Sequence, residues 1–253
     1  MNWNKIKTVL IFLFLAIDIF LVIWNIGLRQ EGRVVDKNTI ENMSELLLDR
    51  GIKIPDGIID DEIPEIKGIT VENIMASEAE FVGGILGNKY KKEENVFSND
   101  ECSVKIEGNH FSIVSDHVVG SAEEARAWLS SIGFDLKNTV TAEYRGEYII
   151  KSFHKGYEIY GSRIAVKSEN GETRAEGSFF YAVEGSENPT DIRHSTAVLP
   201  KLIQEGIANC SVSSVNVGYM VESAGSKFSE ANATPTYRIL LSDGREIFYN
   251  ATK

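Results

Sequence analysis

Thr8 to Leu28, TVLIFLFLAIDIFLVIWNIGL, constrains this chain more than any other stretch. It is apolar almost throughout and carries one ionisable group, Asp18. At roughly 1.5 Å per residue a helix of this length crosses a hydrocarbon core of about 30 Å, so the stretch predicts a transmembrane helix over 8–28. Lys5 and Lys7 precede it without a neighbouring acid, which keeps residues 1–7 in the cytoplasm and sends the remainder outside. A cleaved signal peptide is the rival expectation. Its apolar core is shorter, about 7–15 residues, and ends in a small-x-small site; this span ends in Trp24, Asn25, Ile26, Gly27 and Leu28.

Asp18 falls near the middle of the span, where a carboxylate is costly and either enters protonated or faces another helix. Asn25 lies on the same helical face seven residues on, with Leu21 and Val22 between them. Asp18, Leu21, Val22 and Asn25 are therefore a candidate contact for a partner transmembrane helix. The alternative is a plain anchor that tolerates one acid.

Charge narrows the partners of the exterior part. Without Lys5, Lys7 and Asp18, residues 29–253 hold 24 Lys and Arg against 36 Asp and Glu, a net −12. Such a surface repels nucleic acid and anionic headgroups, so no nucleic-acid partner is expected. Its length suits one large or two smaller domains. Cys102 and Cys210 are the only cysteines; an oxidising exterior permits a bridge between them, and two separate packed thiols are the alternative.

The exterior reads as α+β. In NTIENMSELLLDRG, Asn38 is a candidate N-cap, Ile40, Met43 and Leu47 share a face, and Gly51 is a stop. IKIPDGIIDDEIPEIKG reads as a loop, and Gly68 to Gly87 is divided between strand and helix. CSVKI and FSIVS form a hairpin across Glu107 to His110. SAEEARAWLSSIG follows as a helix, with a Ser121/Glu124 capping box and Ala122, Ala125, Trp128, Leu129 and Ile132 on its apolar face. Three strands come next, the last two joined by Asn170-Gly171 in a type I′ turn. The order then repeats: a helix from Ser195, with Pro200 as kink or first turn, and strands separated by Asp243-Gly244. The prediction is an N-terminal part over 29–118 and a tandem part over 119–253. The latter is a duplicated helix-on-antiparallel-sheet unit, at about 121–183 and 195–251.

Chemistry-bearing motifs are sparse. His110, His117, His154 and His194 lack metal-ligand spacing. Ser152 and Lys155 match S-x-x-K, yet they fall in an expected strand, where positions three apart face opposite sides, and no K-T-G follows. The carboxylates at Asp60-Asp61-Glu62 read as a solvated face in so acidic a chain. No catalytic residue, metal ligand or cofactor site is assigned, and a non-catalytic protein is expected.

The start MNWNKIKTVLIFLFLAIDIFL, the internal KGYEIYG and SVNVGYM, and the close TPTYRILLSDGREIFYNA together resemble the YycI regulators across nearly the whole chain. These are single-pass membrane proteins associated with the YycF/YycG (WalR/WalK) two-component system of Gram-positive bacteria. The resemblance falls on Met1 to Leu28, on Gly156, Tyr157 and Ile159, and on Gly218, Tyr219, Pro235, Tyr237 and Arg238. Glu158 stands where the family often has proline, and Tyr237 where tryptophan is common. The resemblance implies an accessory protein that acts with a YycH-like co-regulator on the sensor histidine kinase YycG and adjusts cell-wall metabolism. An extracytoplasmic ligand or peptide sensor with a groove between the two α+β units, and a surface enzyme, are the other classes.

Overall fold

The helices follow their caps. The computed structural model of the chain describes residues 13–15, 17–21, 34–222 and 227–253. Helix α1, Lys37–Leu48, is capped by Asp36 rather than the expected Asn38: the Asp36 carboxylate accepts from the Asn38 backbone N–H at 3.2 Å. A carboxylate is a strong acceptor there and its charge suits the positive end of the helix. Helix α2, Glu78–Leu86, starts at Ser77 and has Glu78 and Glu80 in its first turn. Helix α3, Ala122–Ser131, starts at the predicted Ser121, whose Oγ accepts from Glu124 N–H at 3.1 Å. The Glu124 carboxylate reaches back to the Gly120 N–H at 2.6 Å, one residue before the usual capping-box donor.

The helix expected from Ser195 is shorter than its apolar spacing suggests. Ser195–Ala197 form a 3₁₀ turn and only Lys201–Gln204 are α-helical, here α4. Pro200 has no N–H to donate, and its ring would meet the carbonyl four residues back. The turns around it accordingly close on i−3 carbonyls, Val198 to Ser195, Lys201 to Val198 and Leu202 to Leu199.

Among the described residues fourteen strands complete the α+β fold: β1 Ile52–Lys53, β2 Ile69–Asn73, β3 Lys91–Glu93, β4 Val96–Ser98, β5 Cys102–Glu107, β6 His110–Ser115, β7 Thr139–Tyr144, β8 Glu147–His154, β9 Tyr157–Glu169, β10 Glu172–Ser178, β11 Phe180–Ala182, β12 Cys210–Val221, β13 Glu230–Leu241 and β14 Glu246–Asn250. The region divided between strand and helix holds β2 and then α2. The hairpin β5–β6 pairs Glu107 with His110 across Gly108-Asn109. Asn170 and Gly171 both take positive φ, 57° and 87°, as a type I′ turn demands, and join β9 to β10.

The described residues form two compact units. The first gathers α1, β1, the 3₁₀ turn and α4, with β1 running parallel to Cys210-Ser211. Leu47, Ile52, Leu199, Leu202 and Val212 are among its buried apolar residues. His194 is buried here too: Nδ1 accepts from the Thr196 N–H at 3.2 Å, which leaves Nε2 to donate to the Asp60 carbonyl at 2.7 Å.

The second unit holds the sheet in the order β11-β2-β13-β12-β9-β10-β6-β5-β4-β3, with β8 and β7 attached through β9 and β14 through β13. Its core is a run of rings, Phe81 to Phe111 at 5.5 Å, Phe111 to Phe134 at 5.4 Å and Phe134 to Phe179 at 5.9 Å, with Trp128, Leu129, Ile150 and Ile164. Burying each such ring contributes about 1.5–3 kcal/mol, and tilted pairing adds roughly 0.5–1.5 kcal/mol. One core thus draws on residues from both sides of position 118.

Candidate functional site

The site begins at a bend. β9 pairs antiparallel with β10 from Arg163 onward, while its Glu158, Ile159 and Tyr160 lie parallel to Gly218, Tyr219 and Met220 of β12. Gly161, between the two stretches, has φ +83°, and the β8–β9 register slips between Lys151 and Phe153. A bulge of this kind lets one long strand serve two differently directed neighbours. Gly218 permits the parallel contact. A Cβ there would stand 2.5 Å from the Glu158 carbonyl oxygen and 2.6 Å from Tyr160 Cζ.

That close approach lays the Tyr160 ring across β12, where its hydroxyl donates to the Asn216 carbonyl at 3.2 Å. Arg238 of β13 stacks on the ring at 5.0 Å and pairs with Glu158 at 2.9 Å, and Lys151 pairs with the same carboxylate at 2.9 Å. Glu158 and Arg238 side chains are 15% and 17% exposed, so this ion pair is shielded from water better than a surface bridge. Burial raises the Tyr160 phenol well above its ordinary pKa, against the opposing effect of Arg238. It remains a neutral donor.

At the start of β9, Tyr157 meets Tyr219 edge-on at 6.3 Å and His154 meets Tyr219 at 6.0 Å. His154 Nε2 lies 3.4 Å from the Glu187 carboxylate, which also pairs with Lys155 and, at 3.4 Å, with Lys67. Hydrogen bonds from Lys155 and then His154 hold the Glu187 carboxyl down to about 2. Desolvation pushes Tyr219 up to about 12. The residues Gly156, Tyr157, Ile159, Gly218, Tyr219 and Arg238, read from three separate stretches, thus meet at one strand junction. Pro235 marks where β13 passes from pairing with β2 to pairing with β14, and Tyr237 is buried.

Beside the junction is a groove of about 990 Å³ inside the second unit, between the β11 edge, the end of β8 and the approach to β7. Asn73, Ser152, His154, Lys155, Tyr181 and Ala182 line it. Its buried polar groups are engaged. Ser152 Oγ donates to the Phe180 carbonyl at 2.9 Å, and Asn73 Nδ2 donates to Asn109 Oδ1 at 2.9 Å while its Oδ1 accepts from the Met75 N–H. Lys155 turns to Glu187 rather than to Ser152, so the S-x-x-K string makes no nucleophile pair.

Asp18 and Leu21 lie on a described helical stretch and are exposed, whereas Val22 and Asn25 lie outside the described residues. Among the described residues no helix is long and apolar enough to cross a membrane, and no group of His, Cys, Asp or Glu is arranged to hold a metal ion. Neither Cys102 nor Cys210 is in a disulfide. Glu187, Lys67 and Lys151 had no signal in the sequence. KGYEIYG and SVNVGYM did carry one, since glycine within a strand pattern marks a bulge or a close approach.

No family model matches the chain, and no curated protein matches it. Among solved structures, an uncharacterized protein from Eubacterium rectale ATCC 33656 is similar at 13% identity and a TM-score of 0.45, covering 86% of this chain and 94% of that one.

Proposed function

We propose that this chain is a membrane-anchored, non-catalytic extracytoplasmic regulator of a YycG-like sensor histidine kinase, acting with a YycH-like co-regulator on cell-wall signalling. The observation that carries the reading is the meeting of the resembling residues Tyr157, Gly218, Tyr219 and Arg238 at one junction, where each has a packing or charge partner. Membrane anchoring is supported by the described helical residues of 8–28. They leave apolar side chains such as Phe14 and Phe20 exposed at 57% and 59%, as a helix in lipid does. The N-terminus is then cytoplasmic and the sheet lies outside. The repeated order of a helical piece before antiparallel strands supports reading 121–183 and 195–251 as a duplicated unit whose second helix has shrunk around Pro200.

The test is co-purification of the full chain, in mild detergent, from cells of a Gram-positive host that express a YycG-like kinase and a YycH-like protein. Recovery of either protein above a control with an unrelated single-pass anchor is the expected result. Recovery of neither overturns the proposal.

One observation favours a second reading, an extracytoplasmic ligand- or peptide-binding sensor. The groove of about 990 Å³ has mixed polar and aromatic walls of the kind that hold small ligands, although it lies within residues 72–184 rather than between the two repeats.

A further inference from the structure

Strand β7 is an edge. Among the described residues it pairs with β8 alone, as β3 pairs with β4 alone and β14 with β13 alone. Edges of this kind invite another strand unless charge or shortness guards them. β3 is three residues, Lys91, Lys92 and Glu93, all charged. β7 is six residues, TVTAEY, whose only charge is Glu143, and it leaves Val140 55% and Tyr144 60% exposed.

The pairing with β8 fixes which backbone groups are open. The two-residue turn Arg145-Gly146 has positive φ at both positions, and Tyr144 faces Glu147, Ala142 faces Ile149 and Val140 faces Lys151. Flanking such a turn, these are the hydrogen-bonded pairs, so Thr139, Thr141 and Glu143 direct their N–H and C=O groups away from β8. The Thr139 and Thr141 side chains lie on the inner face, where Arg126 donates to them at 2.7 and 2.9 Å. Val140, Ala142 and Tyr144 share the opposite face and are all exposed.

We propose that β7 pairs antiparallel with β7 of a second copy of this chain, about a two-fold axis through Ala142. Outward-directed residues must face outward-directed residues, and centring on Glu143 would oppose two carboxylates, which leaves registers centred on Val140, Thr141 or Ala142. Centring on Val140 opposes Tyr144 to Leu136, which is buried at 5% exposure and cannot join an edge ladder. Centring on Thr141 opposes Tyr144 to Asn138 and leaves the ring without an apolar neighbour. Centring on Ala142 opposes Tyr144 to Val140 twice, so both exposed apolar side chains gain an apolar neighbour. It also sets Thr141 against Glu143. A six-residue ladder buries less than the roughly 1,200 Å² of a stable interface, so the dimer is reversible.

The axis gives the experiment. In an antiparallel pair, residues outside the hydrogen-bonded set have Cα atoms about 4.5 Å apart, within the roughly 4.4–6.8 Å that a disulfide accepts. The full chain carrying Cys102→Ser, Cys210→Ser and Ala142→Cys, oxidised in mild detergent, is expected to form about tenfold more disulfide-linked dimer than the same background carrying the exposed Lys89→Cys, because the paired thiols are held together. Adding Glu143→Pro removes one outward N–H without touching the β8 ladder and is expected to return the yield to the Lys89→Cys level. Ala142→Cys linking no better than Lys89→Cys, with unchanged circular dichroism, overturns the proposal. Linking through Thr141→Cys but not Ala142→Cys, or linking of Ala142→Cys to a different protein, overturns it equally.

Discussion

Gly218→Ala tests the strand junction on which the site is built. The added methyl would stand 2.5 Å from the Glu158 carbonyl oxygen, 2.6 Å from Tyr160 Cζ and 2.8 Å from Tyr160 Oη. Ordinary contact begins near 3.4 Å, so β12 and β9 must separate by nearly an ångström or Tyr160 must leave its place. Backbone oxygen cannot rotate away as a side chain does. Overpacking of this kind costs about 1–3 kcal/mol, and losing the Tyr160 bond to the Asn216 carbonyl adds about 1 kcal/mol. The sum, about 2–4 kcal/mol, lowers the melting temperature by roughly 5–15 °C at 2–4 °C per kcal/mol for a domain of this size. Thermal melts of the full chain in mild detergent, followed by circular dichroism, read the effect. Gly83→Ala in α2 is the control. Nothing lies within 4 Å of its added methyl, and alanine in a helix interior gains about 0.5–1 kcal/mol over glycine. A melting temperature for Gly218→Ala equal to the wild type, beside the expected rise for Gly83→Ala, would refute the close approach.

Two further outcomes follow from the buried and charged groups. Glu187 has a folded-state pKa lowered from 4.5 to about 2, so its ion pairs contribute stability that is full above about pH 4.5 and is lost as pH falls toward 2. Denaturation midpoints measured across that window should fall less steeply for Glu187→Gln than for the wild type, and parallel curves would remove Glu187 as the cause. His194→Ala deletes the donor to the Asp60 carbonyl and the acceptor for the Thr196 N–H, and should cost about 1–3 kcal/mol in urea unfolding. A loss below about 0.5 kcal/mol, the scale of an ordinary surface change, would contradict the assigned bonds.

Local chemistry was readable and long-range pairing was not. Ser121 as a cap, Asn170-Gly171 as a type I′ turn and the β5–β6 hairpin each depend on neighbours within a few residues, and each stands in the structure as expected. At α1 the cap is Asp36, two residues before the expected Asn38, and only the geometry of its carboxylate shows it. After Ser195 the apolar spacing ran on through Pro200, and of the two readings of that proline, kink or first turn, the second stands, since the α-helical turn begins directly after it. The parallel contact of Gly218 with Glu158 joins residues sixty positions apart. Nothing in strand alternation encodes such a pairing, and the partners of Glu187 share its invisibility, since a lone acid in a loop has no pattern.

Recognition of a partner helix through the membrane span is the central claim of the proposed function, and Asp18→Leu with Asn25→Leu tests it directly. If these two side chains contact a partner helix, each bond lost is worth on average about 0.6 kcal/mol, so the pair removes about 1.2 kcal/mol, roughly an eightfold loss of affinity. Insertion becomes easier at the same time, because neither polar group has to enter hydrocarbon. Co-purification of the kinase and the co-regulator, quantified against detergent concentration, should fall by about that factor while expression and membrane anchoring stay normal. Undiminished recovery with normal expression would contradict recognition through the span and leave the sheet to carry it alone.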